Sequence, residues 1–454
     1  MENKINRRSF LKNSALVGGA LGTVSIGGNS FLTSCAEDKG PKYIPLKAPG
    51  TFYVPELPEK ATDGKALKVG LIGCGGRGTG AVGNLLAASD GITVTALGDS
   101  FKDKVDGFAN SLQNRKTPIV IPEDKRFIGL DAFQKVIDSD VDIVIIATPP
   151  AFRPQHFKYA VEKGKHVFLE KPLFVDAAGY RSVVATAKQA AAKNLAILTG
   201  NQRRHERCYV ESYKKIMEGY IGEITGGVVY WNGTVPWTNL PKPNLSDGEN
   251  FLRNWVNWTW LSGDHIVEQH CHNIDVFTWF TGLKPVSALG MGSRARRPSG
   301  DQFDFFSVDF IMENGIHMHS MCRQISGTTT NVSEFIQGAK GSWHSSGIIK
   351  DLAGNEIWKY DREAEKEQFK QNDPYTLEHV NWINCIRGNK PMEMASDFAI
   401  ANMAACMGRD SAYTGRLIDW ERATTREQDL IPADFSLTGK MDLSGYAVPI
   451  PGRA

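Results

Sequence analysis

Residues 262–275 read SGDHIVEQHCHNID, which places three histidines, one glutamate and two aspartates in fourteen positions. Such groups can pass protons, hold a divalent cation or simply face water. If residues 265 to 277 form a helix, each step turns by about 100°. His265, Glu268, His272 and Asp275 then share one face, while Ile266, Val267, Ile274 and Phe277 take the other. That split favours a polar stripe facing a pocket. His270 falls among the apolar positions and is expected as a packed, hydrogen-bonded core histidine. Proton transfer by His272, with His265, Glu268 and Asp275 beside it, outweighs a metal site built from His265, Glu268 and His272, because no distant ligand completes the set. His317 and His319 alternate along IHMHS and suit a sheet face at a pocket rim better than a cation. No metal is expected.

The organised chain opens with ALKVGLIGCGGRGTGAVGNLLAA. Leu67 to Ile72 reads as a buried parallel strand, and Gly73, Gly75 and Gly78 then match G-x-G-x-x-G ahead of a helical stretch, with Gly76 and Arg77 inside the turn. ITVTALGDS supplies a second strand ending at Asp99 and Ser100, where a carboxylate can accept hydrogen bonds from a ribose. The pattern predicts an α/β dinucleotide-binding domain with the pyrophosphate at a helix N-terminus. Asp99 repels a 2′-phosphate, so NAD is expected rather than NADP. Two further apolar runs, VDIVIIATPP and KHVFLEKPL, bring Thr148, Pro149, Glu170 and Lys171 to strand carboxyl ends, where open α/β sheets bind their ligands.

These pieces occur in a telling order: GxGxxG, ATPP followed by His156, GKHVFLEKP, then HNID. Together they resemble the glucose-fructose oxidoreductase and inositol dehydrogenase family, Gfo/Idh/MocA, over residues 67 to about 420. The resemblance implies an N-terminal Rossmann domain followed by an α+β domain on a large, mostly antiparallel sheet. It implies that Lys171 lies near the nicotinamide and that His272 and Asp275 line the substrate pocket. It also implies a homo-oligomer, dimer or tetramer, built through the open sheet face. The family's usual D-x-G-x-H-x-x-D is altered here at Glu268 and His270. Oxidising a secondary alcohol sends a hydride to the nicotinamide and a proton to a base, a role that suits a histidine of near-neutral pKa or a lysine depressed by burial.

GNQRRHERCY begins the second domain and offers Asn201 and Gln202 to the cofactor and Arg203 and His205 to a substrate. Trp231, Trp237, Trp255, Trp258 and Trp260 are half of the chain's ten tryptophans. Aromatic rings stack on the C–H faces of sugars, and Trp237 and Trp260 are the expected platforms. Lys plus Arg number 52 against 50 Asp plus Glu, which gives no field to draw in nucleic acid. A small carbohydrate fits that balance.

Arg7 and Arg8 in NRRSFLK, the weakly apolar run that follows, and LTSC ending at Cys35 read as a twin-arginine export signal with a lipid anchor at Cys35. That places the protein in the periplasm or cell envelope. The expected organisation is signal 1–35, arm 36–66, Rossmann domain 67–192 and substrate domain 193–454. The other six cysteines, Cys74, Cys208, Cys271, Cys322, Cys385 and Cys406, are scattered and read as buried small side chains. The expected activity is NAD-dependent oxidation of a secondary sugar hydroxyl, at C3, on tightly bound NAD. The alternative is a glycosidase working by oxidation, elimination, hydration and reduction, similar to family 109 glycoside hydrolases.

Overall fold

The apolar runs of the first half form the strands β1 (Leu67–Ile72), β2 (Ile92–Asp99), β3 (Arg126–Ile128), β4 (Ile143–Ile146), β5 (His166–Leu169) and β6 (Ala196–Thr199) in a computed structural model that describes residues 54–390, 392–442 and 445–453. The twin-arginine segment and Cys35 lie outside the described residues. β4 is buried at every position, because helices pack on both faces of a parallel sheet and leave no polar side.

The second lobe contributes β7 (Ile224–Gly233), β8 (Pro285–Ser293), β9 (Phe305–Met312), β10 (His317–Gln324), β11 (Asn331–Gly338), β12 (Gly341–His344), β13 (Ile348–Asp351) and β14 (Glu356–Lys359). Two short late strands follow, β15 (Met392–Glu393) and β16 (Ile418–Asp419). The parallel sheet runs β15-β6-β5-β4-β1-β2-β3, and the larger sheet runs β14-β13-β12-β11-β7-β10-β9-β8-β16. Only β7 and β10 pair in parallel within the larger sheet. The domain boundary expected at 193 falls ahead of β6, which belongs to the parallel sheet. The first lobe also takes back a late segment. The helix Pro374–Arg387 packs on the glycine-loop helix Gly76–Ala88, and Trp382 Nε1 donates to the Ala196 carbonyl at 3.0 Å.

One face of the larger sheet is covered by the helices Cys271–Thr281 and Ala395–Thr414. The first of these is buried at every residue, as a helix between a sheet and a second helix must be. Gly227 on β7 makes room for it, since a Cβ there would stand 2.7 Å from the Phe277 ring. The opposite face leaves Leu289, Met291, Phe305 and Met321 exposed. All six described cysteines are buried, and none forms a disulfide.

The described part of the arm lies on the first lobe, where Ala61 N donates to the Ala88 carbonyl at 2.9 Å. The tail is tied to both lobes: Leu430 N donates to Asp176 at 2.8 Å and Met441 N to Asp247 at 3.0 Å. No described helix is long and apolar enough to cross a membrane.

The glycine loop separates packing from open space. A Cβ on Gly78 would meet the Gly73 carbonyl oxygen at 2.0 Å, whereas one on Gly75 meets nothing within 4 Å. Gly78→Ala should therefore lower unfolding free energy by about 1–3 kcal/mol, read from the urea midpoint. Gly75→Ala should stay within about 0.5 kcal/mol of the parent.

Candidate active site

A cleft of about 1170 Å³ opens at the carboxyl ends of β1, β2, β4 and β5 and continues to the helix Cys271–Thr281 and to Trp231 on β7. At its first-lobe end, Gly73 adopts φ +96°, and a Cβ there would stand 2.7 Å from the Ala147 backbone, so a side chain would strain the turn. Gly75 and Gly76 face open space and line the cleft. The helix they begin has no side-chain cap and no acid in its first turn. Its free N–H groups and positive dipole end are thus offered to an anion.

Asp99 closes this end. Its carboxylate accepts from Cys74 N at 2.7 Å and Phe101 N at 3.0 Å, and the remaining lone pairs are available to hydroxyl donors. Burial raises its pKa above the ordinary 3.8, while the two N–H groups pull the other way. An uncapped helix start, two glycines without neighbours and a held carboxylate fit the pyrophosphate and ribose of a dinucleotide. Ser100, Thr148, Pro149 and Gln202 line the same cleft. His156 lines it too, stacked on Phe133 at 4.1 Å and bonded through Nδ1 to Thr148 Oγ1 at 3.1 Å. Burial, then the charge of Arg153, pushes this imidazole down to about 3, so it serves as a neutral wall.

Charged groups meet where β5 ends. Arg77 Nε donates to Glu170 Oε1, and Glu170 Oε2 also accepts from Lys171 N at 3.0 Å. Lys171 Nζ reaches across to the second lobe, donating to the Glu268 carbonyl at 2.6 Å and to its carboxylate at 3.1 Å. His272 stands beside them, its ring stacked 5.9 Å from that of Trp231. Lys171, Glu268, Gln269, His272 and Trp231 all line the cleft.

Several expected site residues are placed elsewhere. The stripe drawn on a single helix does not form: one turn, His265–Glu268, is separated from the helix Cys271–Thr281. Gly263 at φ +83° and Asp264 at φ +70° set the direction of that turn. His265 consequently points into the core, where Nδ1 bonds Asp264 at 2.9 Å and the ring lies 5.1 Å from Phe306. It does not reach the cleft. Asp275 is buried under a two-bond clasp from Arg204, 3.0 and 2.6 Å, with Asn201 Nδ2 at 2.9 Å. Asp275 and Asn201 are therefore structural partners rather than cleft groups.

Arg203 is buried against Glu334 beneath Trp231. His205 is buried beside Asn381 at 3.2 Å, and burial, then Arg204, pushes it down to about 3. Trp260 packs in an apolar cluster with Phe152, Phe251 and Phe435, whereas Trp237 does line the cleft. His270 is the expected core histidine, with Nε2 2.7 Å from Ser320 Oγ. Among the described residues, no three His, Cys, Asp or Glu side chains gather as a metal would need.

Other cleft residues carried no local signal. Arg153 ties the strand ends together by donating to the carbonyls of Thr148 at 2.7 Å, Glu170 at 3.1 Å and Pro172 at 2.5 Å. Tyr375 lies under the Arg77 guanidinium at 4.9 Å. Ile431, Pro432 and Phe435 bring the tail into the cleft wall.

Comparison with known proteins agrees with this geometry. Residues 67–197 match the oxidoreductase family model with an NAD-binding Rossmann fold, and residues 210–344 match the Gfo/Idh/MocA C-terminal domain. The chain belongs to the Gfo/Idh/MocA family. It is an NAD-dependent enzyme with that family's two-domain fold.

A glycosyl hydrolase family 109 protein of Shewanella pealeana is 24% identical over 403 residues, 83% of this chain and 82% of that one. An alpha-N-acetylgalactosaminidase of Shewanella oneidensis is 26% identical over 358 residues, 78% and 68% of the two chains. The structure of scyllo-inositol dehydrogenase from Lactobacillus casei with NAD(H) and scyllo-inositol superposes with a TM-score of 0.57 at 19% identity, covering 78% of this chain and 99% of that one.

If Asp275 acts through Arg204, its loss is a stability defect first. Asp275→Ala should cost about 3–5 kcal/mol, the usual penalty for orphaning a buried partner. Denaturant unfolding would show it, and an unchanged midpoint with lost turnover would return Asp275 to the chemistry.

Proposed function

We propose that the protein oxidises a secondary hydroxyl of a sugar or glycoside, at C3 of the ring, to give a 3-keto glycoside. One observation carries the reading: the Lys171–Glu268 pair at 3.1 Å lies in the same cleft wall as His272 stacked on Trp231. A hydrogen-bond donor, a carboxylate, an imidazole and a flat apolar ring thus share one spot. Bound NAD supplies the hydride acceptor.

The residues divide the remaining work by charge. Burial first, then the charges of Lys171, Arg203 and Arg77, hold His272 well below its ordinary 6.5. The imidazole is neutral at physiological pH and has a lone pair for the hydroxyl proton. Lys171 behaves differently from the depressed lysine expected from sequence. Burial pulls its pKa down, but Glu268, together with Cys271 and Glu170, more than offsets that and leaves it raised. It remains an ammonium and donates to a substrate oxygen, stabilising charge as the proton leaves. Trp231 lines the cleft beside these groups and adds apolar ring surface for the sugar's C–H groups.

A second reading, the complete glycosidase cycle, is favoured by the names of the Shewanella relatives. Elimination needs a base for the C2 proton and an acid for the leaving oxygen, and Glu268 and Lys171 are chemically suited to these roles. Arg7, Arg8 and the LTSC ending at Cys35 support export to the cell envelope with the cofactor already in place.

The test is to incubate purified protein, without added NAD, with p-nitrophenyl glycosides. The expected result is near-ultraviolet absorbance of reduced nicotinamide and a product lighter by two hydrogens. Hydrolysed sugar at its original oxidation state, over many turnovers, would establish the glycosidase, and neither product would sink both readings.

The pH profile offers a second check. Because His272 is depressed and Lys171 raised, the acid limb of kcat/KM should fall below 6.5 and the alkaline limb above 10.5. An inflection near 6.5 that vanishes in His272→Asn would mean that the imidazole titrates normally.

A further inference from the structure

Gln269 sits in the cleft wall between Glu268 and the helix that carries His272. An amide can present either its oxygen or its NH2 group, and which one faces a ligand depends on what holds the other end. Here the hold can be traced to a group that has no choice. Arg297 is buried, and a guanidinium only donates. Its Nη2 donates to Gln324 Oε1 at 2.6 Å and its Nη1 to Asn257 Oδ1 at 2.8 Å. Asp304 holds this arginine in place: its Oδ2 accepts from the backbone N–H groups of Ala295, Arg296 and Arg297 at 2.6, 2.5 and 3.0 Å, and its Oδ1 lies 3.6 Å from Arg297 Nε.

With its oxygen committed to Arg297, Gln324 can turn only its Nε2 toward Gln269. It donates to Gln269 Oε1 at 2.5 Å. Gln269 must therefore accept on the buried side and has only its own Nε2 for the cleft. The geometry points to Gln269 as a specificity-determining residue that shows the sugar an N–H donor fixed by the Arg297–Gln324 relay, selecting an oxygen that accepts over an ammonium or N–H substituent. Such an oxygen is a carbonyl, as in an acylamino group or a ketone, or a hydroxyl whose own proton is turned away. The inference rests on the sugar-oxidising reading for its ligand, but the polarity of the amide does not.

The relay permits a test in which the polarity is inverted from a distance. Gln324→Glu still accepts from Arg297 but can no longer donate, so Gln269 should rotate and show its oxygen. Gln269→Glu does the same directly, and Gln269→Met removes the donor at similar volume without adding charge. Binding is measured by calorimetry on NAD-loaded protein with p-nitrophenyl glycosides of glucose, N-acetylglucosamine and glucosamine.

Each of the three variants should bind the glucose or N-acetyl probe about tenfold or more weakly, the scale of one hydrogen bond lost and another left unmade. The two glutamate variants should shift preference toward the ammonium sugar. A larger loss on the N-acetyl probe assigns the contact to the acylamino carbonyl, and an equal loss assigns it to a ring oxygen substituent.

A second readout needs no sugar. In a glutamine-labelled sample, the side-chain NH2 signal absent from Gln269→Glu should exchange readily with solvent, and that absent from Gln324→Glu should be protected. If both are protected, or only Gln324 exchanges, the assigned polarity is wrong, whether or not any glycoside binds. Unchanged affinity in Gln324→Glu with intact NAD content would equally overturn the relay.

Discussion

Charges taken out of water must meet partners, and at the seam between the two lobes each partner comes from a different element. Arg77 on the glycine-loop helix meets Glu170 at the end of β5, and Lys171 beside it meets Glu268 of the second lobe. Below them Arg204 meets Asp275, and Arg203 meets Glu334 on β11. Withdrawing any one member would leave a charge in a poorly solvated place, typically several kcal/mol uphill. The lobes are thus registered by neutralisation as well as by apolar packing. Gly200 shows how closely this is fitted, since a Cβ there would lie 2.7 Å from a Glu170 oxygen.

That registration leaves a cleft with two characters. At the glycine loop the groups on offer are backbone N–H, a carboxylate and open space, which suit a fixed dinucleotide. At the β5 end they are side chains whose protonation is set by neighbours: His272 kept neutral by burial and by surrounding cations, and Lys171 kept charged by Glu268. Across the mouth, Arg253 reaches Asp103 at 2.8 Å and lies over the Phe101 ring at 4.0 Å, with Ile431, Pro432 and Phe435 in the wall. The surface ion pair contributes little by itself. The rings and the tail add apolar surface to that wall.

The sequence made the local features legible. Strands carried as unbroken apolar runs, the Gly73-to-Gly78 turn, Asp99 and the Lys171 position depend on neighbours close along the chain, and each lies where its pattern placed it. The errors arose where distant residues decide. The helix that would have joined His265 to His272 breaks at Gln269 and His270, so periodicity placed His265 on a stripe that does not form, and Asp275, although on the same helix as His272, turns to Arg204 instead of the cleft. Arg203 and Asn201 look like ligand readers in isolation, and only Glu334 and Asp275 explain their burial. Gln269 carried no signal because its meaning depends on Gln324 and Arg297.

The return of the chain to its first lobe has a bearing on how the protein is made. The glycine-loop helix is synthesised early, but the helix Pro374–Arg387 that covers it, and the edge strand β15, follow almost three hundred residues later. At about 5–20 residues per second, the nucleotide-binding lobe waits roughly 15 to 60 seconds on the ribosome with Val82 and Leu85 not yet given all their final neighbours. Its sheet is therefore unlike that of a Rossmann unit that closes on itself as it emerges. Folding of the first lobe ends together with that of the second, and the wall contributed by residues 431–435 is completed last.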